Sequence, residues 1–267
     1  MSTLQLDFHV HSEGSYDGHE PVDLILEHAA DIGLDGVVIT DHDVIHESKR
    51  AAELAADYGL IGIPGVEIST AHGHLLAIGI DEMPPRRAPY DETVTWIRDR
   101  GGVAIVPHPF QRTRHGVRKK NIPDVDAIET FNAWLFTGYK NRRARRYAEA
   151  YGYPTVAASD AHTLPYVGRA YTEITIPEVD REAVTREDVL TAIRNGSTAV
   201  QGRRAPVPMA AKHYAIGAAR KSGYYAKAGT LQTASYARFG TLKSRSLLKT
   251  GVERGLAGLG KLAAALR

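Results

Sequence analysis

The sequence predicts an α/β fold in which short strands alternate with helices around a mostly parallel sheet. Apolar residues recur in brief runs, and between those runs lie Ala- and Glu-rich stretches of helical period. Glycine and proline punctuate the boundaries. About seven strand-like runs fall within the first 200 or so residues, a number that points towards a barrel.

Residues 4–11 alternate with period two, as a strand does. Residues 21–32 read as a helix, with Pro21 suited to its first turn. Residues 36–40 form a short buried strand, and 45–58 a helix stopped near Gly59. Two apolar strands, 60–69 and 74–80, flank a turn at Gly73. Residues 90–100 are helical and end at Gly101-Gly102. The strand 103–106 is halted by Pro107, and 125–131 is another. An Arg/Ala-rich helix spans 140–151, with its arginines read as a solvated face. Strands at 155–158 and 171–176 and a helix at 186–195 complete the body.

Composition divides the chain. Of its 267 residues, 33 are Lys or Arg and 31 Asp or Glu. Residues 1–202 hold 20 bases and 30 acids, whereas residues 203–267 hold 13 bases and one acid, Glu253. The acidic body is long enough to bury a core as one domain. There is no cysteine, which excludes disulfides, thiolate zinc sites and cysteine nucleophiles. No run is apolar enough to span a membrane, no secretory leader is visible, and a cytoplasmic location is expected.

Residues 203–267 form a basic, Ala/Gly/Tyr-rich C-terminal extension, set off by Arg203-Arg-Ala-Pro-Val-Pro208. Leu248, Val252, Leu256, Leu259, Leu262 and Leu266 recur at helical spacing opposite Lys249, Arg254 and Lys261, so the extension is partly helical. Three readings stand: a helix on an anionic membrane surface, a nucleic-acid contact with Tyr214, Tyr224, Tyr225 and Tyr236 for stacking, or a segment that docks on the acidic body or moves freely.

Ten of the 12 histidines precede residue 116. His9 and His11 close the first strand, Asp41-His42-Asp43 follow the second, Glu67 ends the third, His108 follows 103–106, and Asp160 and His162 follow 155–158. Strand ends in parallel β/α folds share one mouth. His-x-His on a strand turns both rings to one face, and Asp160-x-His162 repeats the device. Imidazole and carboxylate without thiolate suit Zn²⁺, Mn²⁺ or Fe²⁺, and the ligands outnumber the needs of one tetrahedral ion. His19, His28, His46, His115 and His213 read as surface residues, Trp96 and Trp134 as core, and Asp43 as either a brace for His42 or a solvent-facing turn residue.

His9-Val-His11, Ile39-Thr-Asp-His-Asp43, Pro107-His-Pro109 and Ser159-Asp-Ala-His162 together resemble the four motifs of the PHP (polymerase and histidinol phosphatase) phosphoesterases. The resemblance covers residues 4 to about 200. It implies a distorted (β/α)7 TIM-like barrel over residues 1–202 with a trinuclear centre of two or three divalent ions. His9, His11, Glu67 and Asp160 would hold the first ion, Glu67, His74 and His108 the second, and Asp17, His42 and His162 the third. His72 competes with His74 for its place. The implied chemistry is hydrolysis of a phosphomonoester or nucleotide by a metal-activated water, with no protein nucleophile. Arg112 and Arg114, in the basic loop after His108, would contact the substrate phosphate. A 5′-to-3′ exonuclease on short RNA or DNA and a non-catalytic regulatory module are the competing readings.

Overall fold

The computed structural model describes residues 2–111, 115–135, 138–204 and 206. They belong to the first of two compact units, Met1–Ala211; the expected tail features and the contacts of Arg112 and Arg114 lie outside the described residues.

The chain runs β1 (Ser2–Val10), α1 (Val22–Asp31), β2 (Gly36–Ile39), α2 (His46–Leu54), β3 (Gly65–Thr70), β4 (Gly73–Ile78), α3 (Tyr90–Arg98), β5 (Val103–Val106), β6 (Ala127–Asn132), α4 (Tyr139–Tyr151), β7 (Thr155–Ala158), β8 (Ala170–Ile176), α5 (Arg186–Arg194) and β9 (Thr198–Gly202). Pro21 stands as the N-cap of α1. A 3₁₀ turn, Ala55–Tyr58, tightens the end of α2 before Gly59. The expected strand over 60–69 begins only at Gly65, because Pro64 has no N–H to give a ladder. β9 has no counterpart among the strands expected from sequence.

The strands form two sheets, β2-β1-β8-β9 and β3-β4-β5-β6-β7. Both are mixed. β4 runs antiparallel to β3 and β5, while β5, β6 and β7 are parallel. β1 is parallel to β2 and antiparallel to β8. The expected (β/α)7 barrel would need a continuous ladder, and the described residues do not make one. The sheets meet instead at two isolated parallel bridges, Val10 with Ala161 and His42 with Glu67. The barrel expectation therefore gives way to two mixed sheets, because the chain reverses direction through the β3–β4 hairpin and again at β8.

Alternate residues of the strands face two cores. Leu4, Leu6 and Phe8 join Leu76, Ile78, Val103, Ile105, Ala127 and Val156 in one buried cluster, into which α5 inserts Val189, Leu190 and Ile193. Val66, Ile68, Leu75, Ala77, Ala104, Val106 and Ile128 face the other way and pack with Val94 and Ile97 of α3 and Ala148 of α4. Burial on both faces explains why these strands read as near-continuous apolar runs. Trp134 is buried and Trp96 half-buried under Arg100.

Candidate metal centre

The two bridges bring the candidate ligands together. His11 N–H donates to the Ala161 carbonyl (2.8 Å), so the ends of β1 and β7 lie side by side and His9, His11, Asp160 and His162 share one space. At the second bridge Asp43 N–H donates to the Glu67 carbonyl (3.0 Å). Glu67 is the third residue of β3 rather than its last. The hairpin sets Ser69 opposite His74, which places His74 beside it.

Glu67 is the hub. Its Oε1 lies 2.8 Å from His74 Nδ1 and 3.0 Å from His108 Nε2. Its Oε2 lies 3.3 Å from His9 Nε2, 3.4 Å from His11 Nε2 and 3.0 Å from His42 Nδ1. Asp160 Oδ1 is 3.6 Å from His9 Nε2 and 3.5 Å from His11 Nε2. Asp17 Oδ2 faces His42 Nε2 at 3.4 Å and His162 Nε2 at 3.3 Å. All nine candidate ligands therefore converge, and His72 does not join them. His72 is exposed and lines a separate cleft of about 230 Å³ with Tyr90 and Lys120.

Four overlapping groups are close enough to hold an ion: His9, His108 and Asp160; His9, His11 and Glu67; His11, Asp17 and His162; and His42, Glu67 and His74. They contain all nine residues but do not reproduce the three expected sets. His42 groups with Glu67 and His74, although its other nitrogen faces Asp17.

The donor set fits cations. Seven of the nine residues are buried, all but Asp17 and His42, and the His11 ring has no hydrogen-bond partner on either nitrogen. His108 Nδ1 is likewise buried without one. Such atoms are costly to bury unless something else meets them. Backbone strain concentrates here as well. His108 and Asp160 take positive φ, at 27° and 56°, as do Phe110 and His115 in the loop after β5.

The charges lean on one another. Burial alone would lower the His9 imidazole, but Asp160, Glu67 and Glu129 hold it well above its ordinary value. His11 is raised in the same way against burial, by Asp160, Asp17 and Glu67. In His42 and His162 burial wins and lowers the ring. Burial would raise Glu67, yet His74, His42 and His9 drive it well below the usual carboxylate range. Asp17 is lowered against its burial by His162 and His42.

Several residues outside the nine support this centre. Glu129 sits fully buried in β6; its Oε1 meets His9 Nδ1 (3.1 Å), and its Oε2 accepts from His108 N–H (2.6 Å) and Asn132 Nδ2 (2.9 Å). By engaging Nδ1, Glu129 leaves Nε2 of His9 as the nitrogen open to a cation. Asn132 also donates to Asp160 Oδ2 (3.0 Å). Asp7 accepts from Ser159 N–H and Gly168 N–H, both at 3.0 Å, and burial pushes its carboxyl up to about 6. Asp41 accepts from Ser12 N–H (2.7 Å) and Ser12 Oγ (2.5 Å). Asp43 neither braces His42 nor faces open solvent: it accepts from Ser69 N–H (2.7 Å) and pairs with Arg86. Two surface residues border the centre. Tyr16, 54% exposed, stacks on His42, and His115 stacks on His74 with ring centroids 5.1 Å apart.

This β/α body gathers nine imidazoles and carboxylates, a donor set that could hold divalent cations. The PHP domain model matches residues 7–101 and the PHP-associated model matches residues 138–198. The chain belongs to the PHP family. It is 29% identical over 153 residues to an uncharacterized protein of Methanocaldococcus jannaschii, across 53% of this chain and 89% of that one. It is 33% identical over 88 residues to the phosphoribosyl 1,2-cyclic phosphate 1,2-diphosphodiesterase of Eggerthella lenta, across 31% of this chain and 33% of that one. In fold it resembles a two-domain protein of Bacteroides vulgatus containing a predicted PHP-like metal-dependent phosphoesterase (TM-score 0.59, 21% identity), across 76% of this chain and 65% of that one.

Proposed function

We propose that the chain is a metal-dependent phosphoesterase that hydrolyses a phosphomonoester or nucleotide. The observation that carries this reading is Glu67, whose two oxygens face two different sets of histidines. A carboxylate so placed can bridge cations a few ångströms apart. In this reading His9, His11, Asp17, His42, Glu67, His74, His108, Asp160 and His162 hold two or three ions, Mn²⁺, Zn²⁺ or Fe²⁺. When bound, such ions supply a water nucleophile at neutral pH and neutralise charge on the phosphoryl oxygens. The chain's own residues fix the geometry. Glu129 and Asn132 orient His9 and Asp160, and Asp41 holds the Ser12 turn that leads to Asp17. The clustered side chains include no cysteine, and the neighbouring hydroxyls of Ser12 and Ser15 are donated to Asp41 and Asp17. Arg112 and Arg114 contact the substrate phosphate, residues 1–202 are the catalytic body, and residues 203–267 are an accessory extension. The relative from Eggerthella lenta, named for a cyclic phosphodiester of ribose, supports a phosphate ester as substrate.

The test loads purified protein with Mn²⁺ and offers an aryl phosphate, a nucleoside bisphosphate and a 5′-phosphorylated oligonucleotide. Hydrolysis of at least one is expected, and the variants His9→Ala and Asp160→Ala should lose it. No hydrolysis of any of the three by protein with bound metal would defeat the proposal.

A further inference from the structure

The body is acidic, and seven of its arginines are neutralised. Arg50, Arg86, Arg98, Arg100, Arg181, Arg186 and Arg194 each pair with an Asp or Glu. One surface breaks this pattern. Arg142, Arg143, Arg145 and Arg146 of α4 are exposed, as are Arg118, Lys119 and Lys120 of the segment between β5 and β6, and none of the seven forms an ion pair among the described residues. Glu149 is the one acid in α4.

Aromatic rings lie among these cations. Lys119 Nζ sits 5.1 Å from the Tyr151 ring and 5.7 Å from Tyr147, and Arg143 Cζ lies 4.4 Å above Phe110. Phe110 packs edge-on against Tyr147, and the Tyr147 ring lies 4.6 Å from that of Tyr151 at a tilt of 36°. Tyr151 is 56% and Tyr139 58% exposed, at the two ends of α4. The row thus runs from Lys119 across Tyr151 and Tyr147 to Phe110, which stands two residues beyond His108. α4 itself is tied to the metal centre through Asn141, whose side chain accepts from Asn132 N–H (3.2 Å), while Asn132 Nδ2 donates to Asp160 (3.0 Å).

We infer that the exposed face of α4, with Arg118 to Lys120, is a docking track for a single-stranded nucleic acid whose end enters the centre. Guanidinium groups without carboxylate partners can meet successive phosphates without first breaking an ion pair. Exposed tyrosines among cations offer stacking platforms for bases of any sequence. A membrane fits less well, because the exposed positions of α4 offer tyrosine and arginine but no aliphatic side chain larger than alanine to insert into lipid. The proposal deepens the phosphoesterase reading by naming a polymeric substrate, yet the track binds whether or not the centre cleaves.

The experiment measures binding of a fluorescent 20-nucleotide single strand to the full chain by anisotropy across a salt series. The combined variant Arg142→Ala, Arg143→Ala, Arg145→Ala and Arg146→Ala should bind about tenfold or more weaker. Its slope of log affinity against log salt should shrink by about 0.7 for each phosphate no longer neutralised. Tyr151→Ala should lose about tenfold with the slope unchanged. In the unaltered chain, photo-cross-links from 5-bromouridine should fall within residues 139–151. Unchanged affinity and slope in the arginine variant, cross-links confined to other segments, or capture by phosphatidylserine vesicles in place of the strand would each overturn the inference. Aryl phosphate hydrolysis by the arginine variant should equal that of the unaltered chain. Absence of hydrolysis in both would count against the phosphoesterase reading alone and leave the binding result standing.

Discussion

Glu67 and Asp7 show two different uses of a buried carboxylate. Glu67 faces five imidazoles and has no backbone duty for its side chain. Glu67→Gln keeps its shape and removes the charge that would hold cations together. The variant should bind at least one ion fewer by elemental analysis, and kcat/KM should fall by about a thousandfold or more; full metal content would contradict the bridging role. Asp7 does the reverse: it touches no candidate ligand side chain and ties Ser159 and Gly168 to β1. Asp7→Ala leaves these two N–H groups without acceptors, at about 1–3 kcal/mol each. Chemical denaturation should show a loss of roughly 2–5 kcal/mol, and a loss under about 1 kcal/mol would mean that water replaces the carboxylate. Seven of the nine candidate ligands stood out at or near expected strand ends, whereas Asp17 and His74 came only with the family resemblance. Asp7 shares the period-two face of His9 and His11, so its signal was present but is indistinguishable from the start of an ordinary strand. Glu129, the one acid within β6, carried a similar unread signal.

At the scale of elements, the five helices stood out in the sequence through composition, period and the Gly and Pro residues at their ends, and α5 alone has a side-chain cap. α5 has a complete capping box, with Thr185 accepting from Asp188 N–H and Asp188 accepting from Thr185 N–H. Thr185→Ala should therefore cost about 1 kcal/mol, read as a shift of the denaturation midpoint at constant m-value. An unchanged midpoint would show that packing of Val189 and Ile193 alone holds the helix. Strands were legible as positions but not as directions. Period two is the same whichever way a strand runs, so nothing in residues 73–78 announced that β4 is antiparallel. Two register shifts were also hidden, one in β1 between Asp7 and Val10 and one in β6 between Glu129 and Phe131. Both lie beside side chains of the centre, where an extra residue re-aims its neighbours along the strand.

For the whole molecule, the near-neutral charge sum conceals an acidic body and a basic extension. The candidate ligands are divided between the sheets: His9, His11, Asp17 and His42 come from the β1–β2 side, and Glu67, His74, His108, Asp160 and His162 from the β3–β7 side. Cation binding should therefore add to the shared core in holding together two sheets whose isolated bridges flank the centre. Mn²⁺ at about one hundred times its Kd should add about 2.7 kcal/mol of stability. Amide exchange at His11 and Glu67, whose N–H groups cross the two junctions, should slow more than at Ile105 within its sheet. Equal slowing everywhere would mean that the ions do not act at the junctions. The expectation of a single parallel barrel rested on strand count, whereas the described strands form two mixed sheets, because local pattern does not encode strand direction.

The position of β1 sets an order of events during synthesis. β1 is made first, yet its antiparallel neighbour is β8, and its Asp7 waits for Ser159, 152 residues later. At about 5–20 residues per second that interval is on the order of ten seconds. Throughout it, His9 and His11 emerge from the ribosome without Asp160 or His162 beside them. A nascent chain therefore has only a partial set of ligands to offer a passing cation, and the assembled centre is a late product of translation.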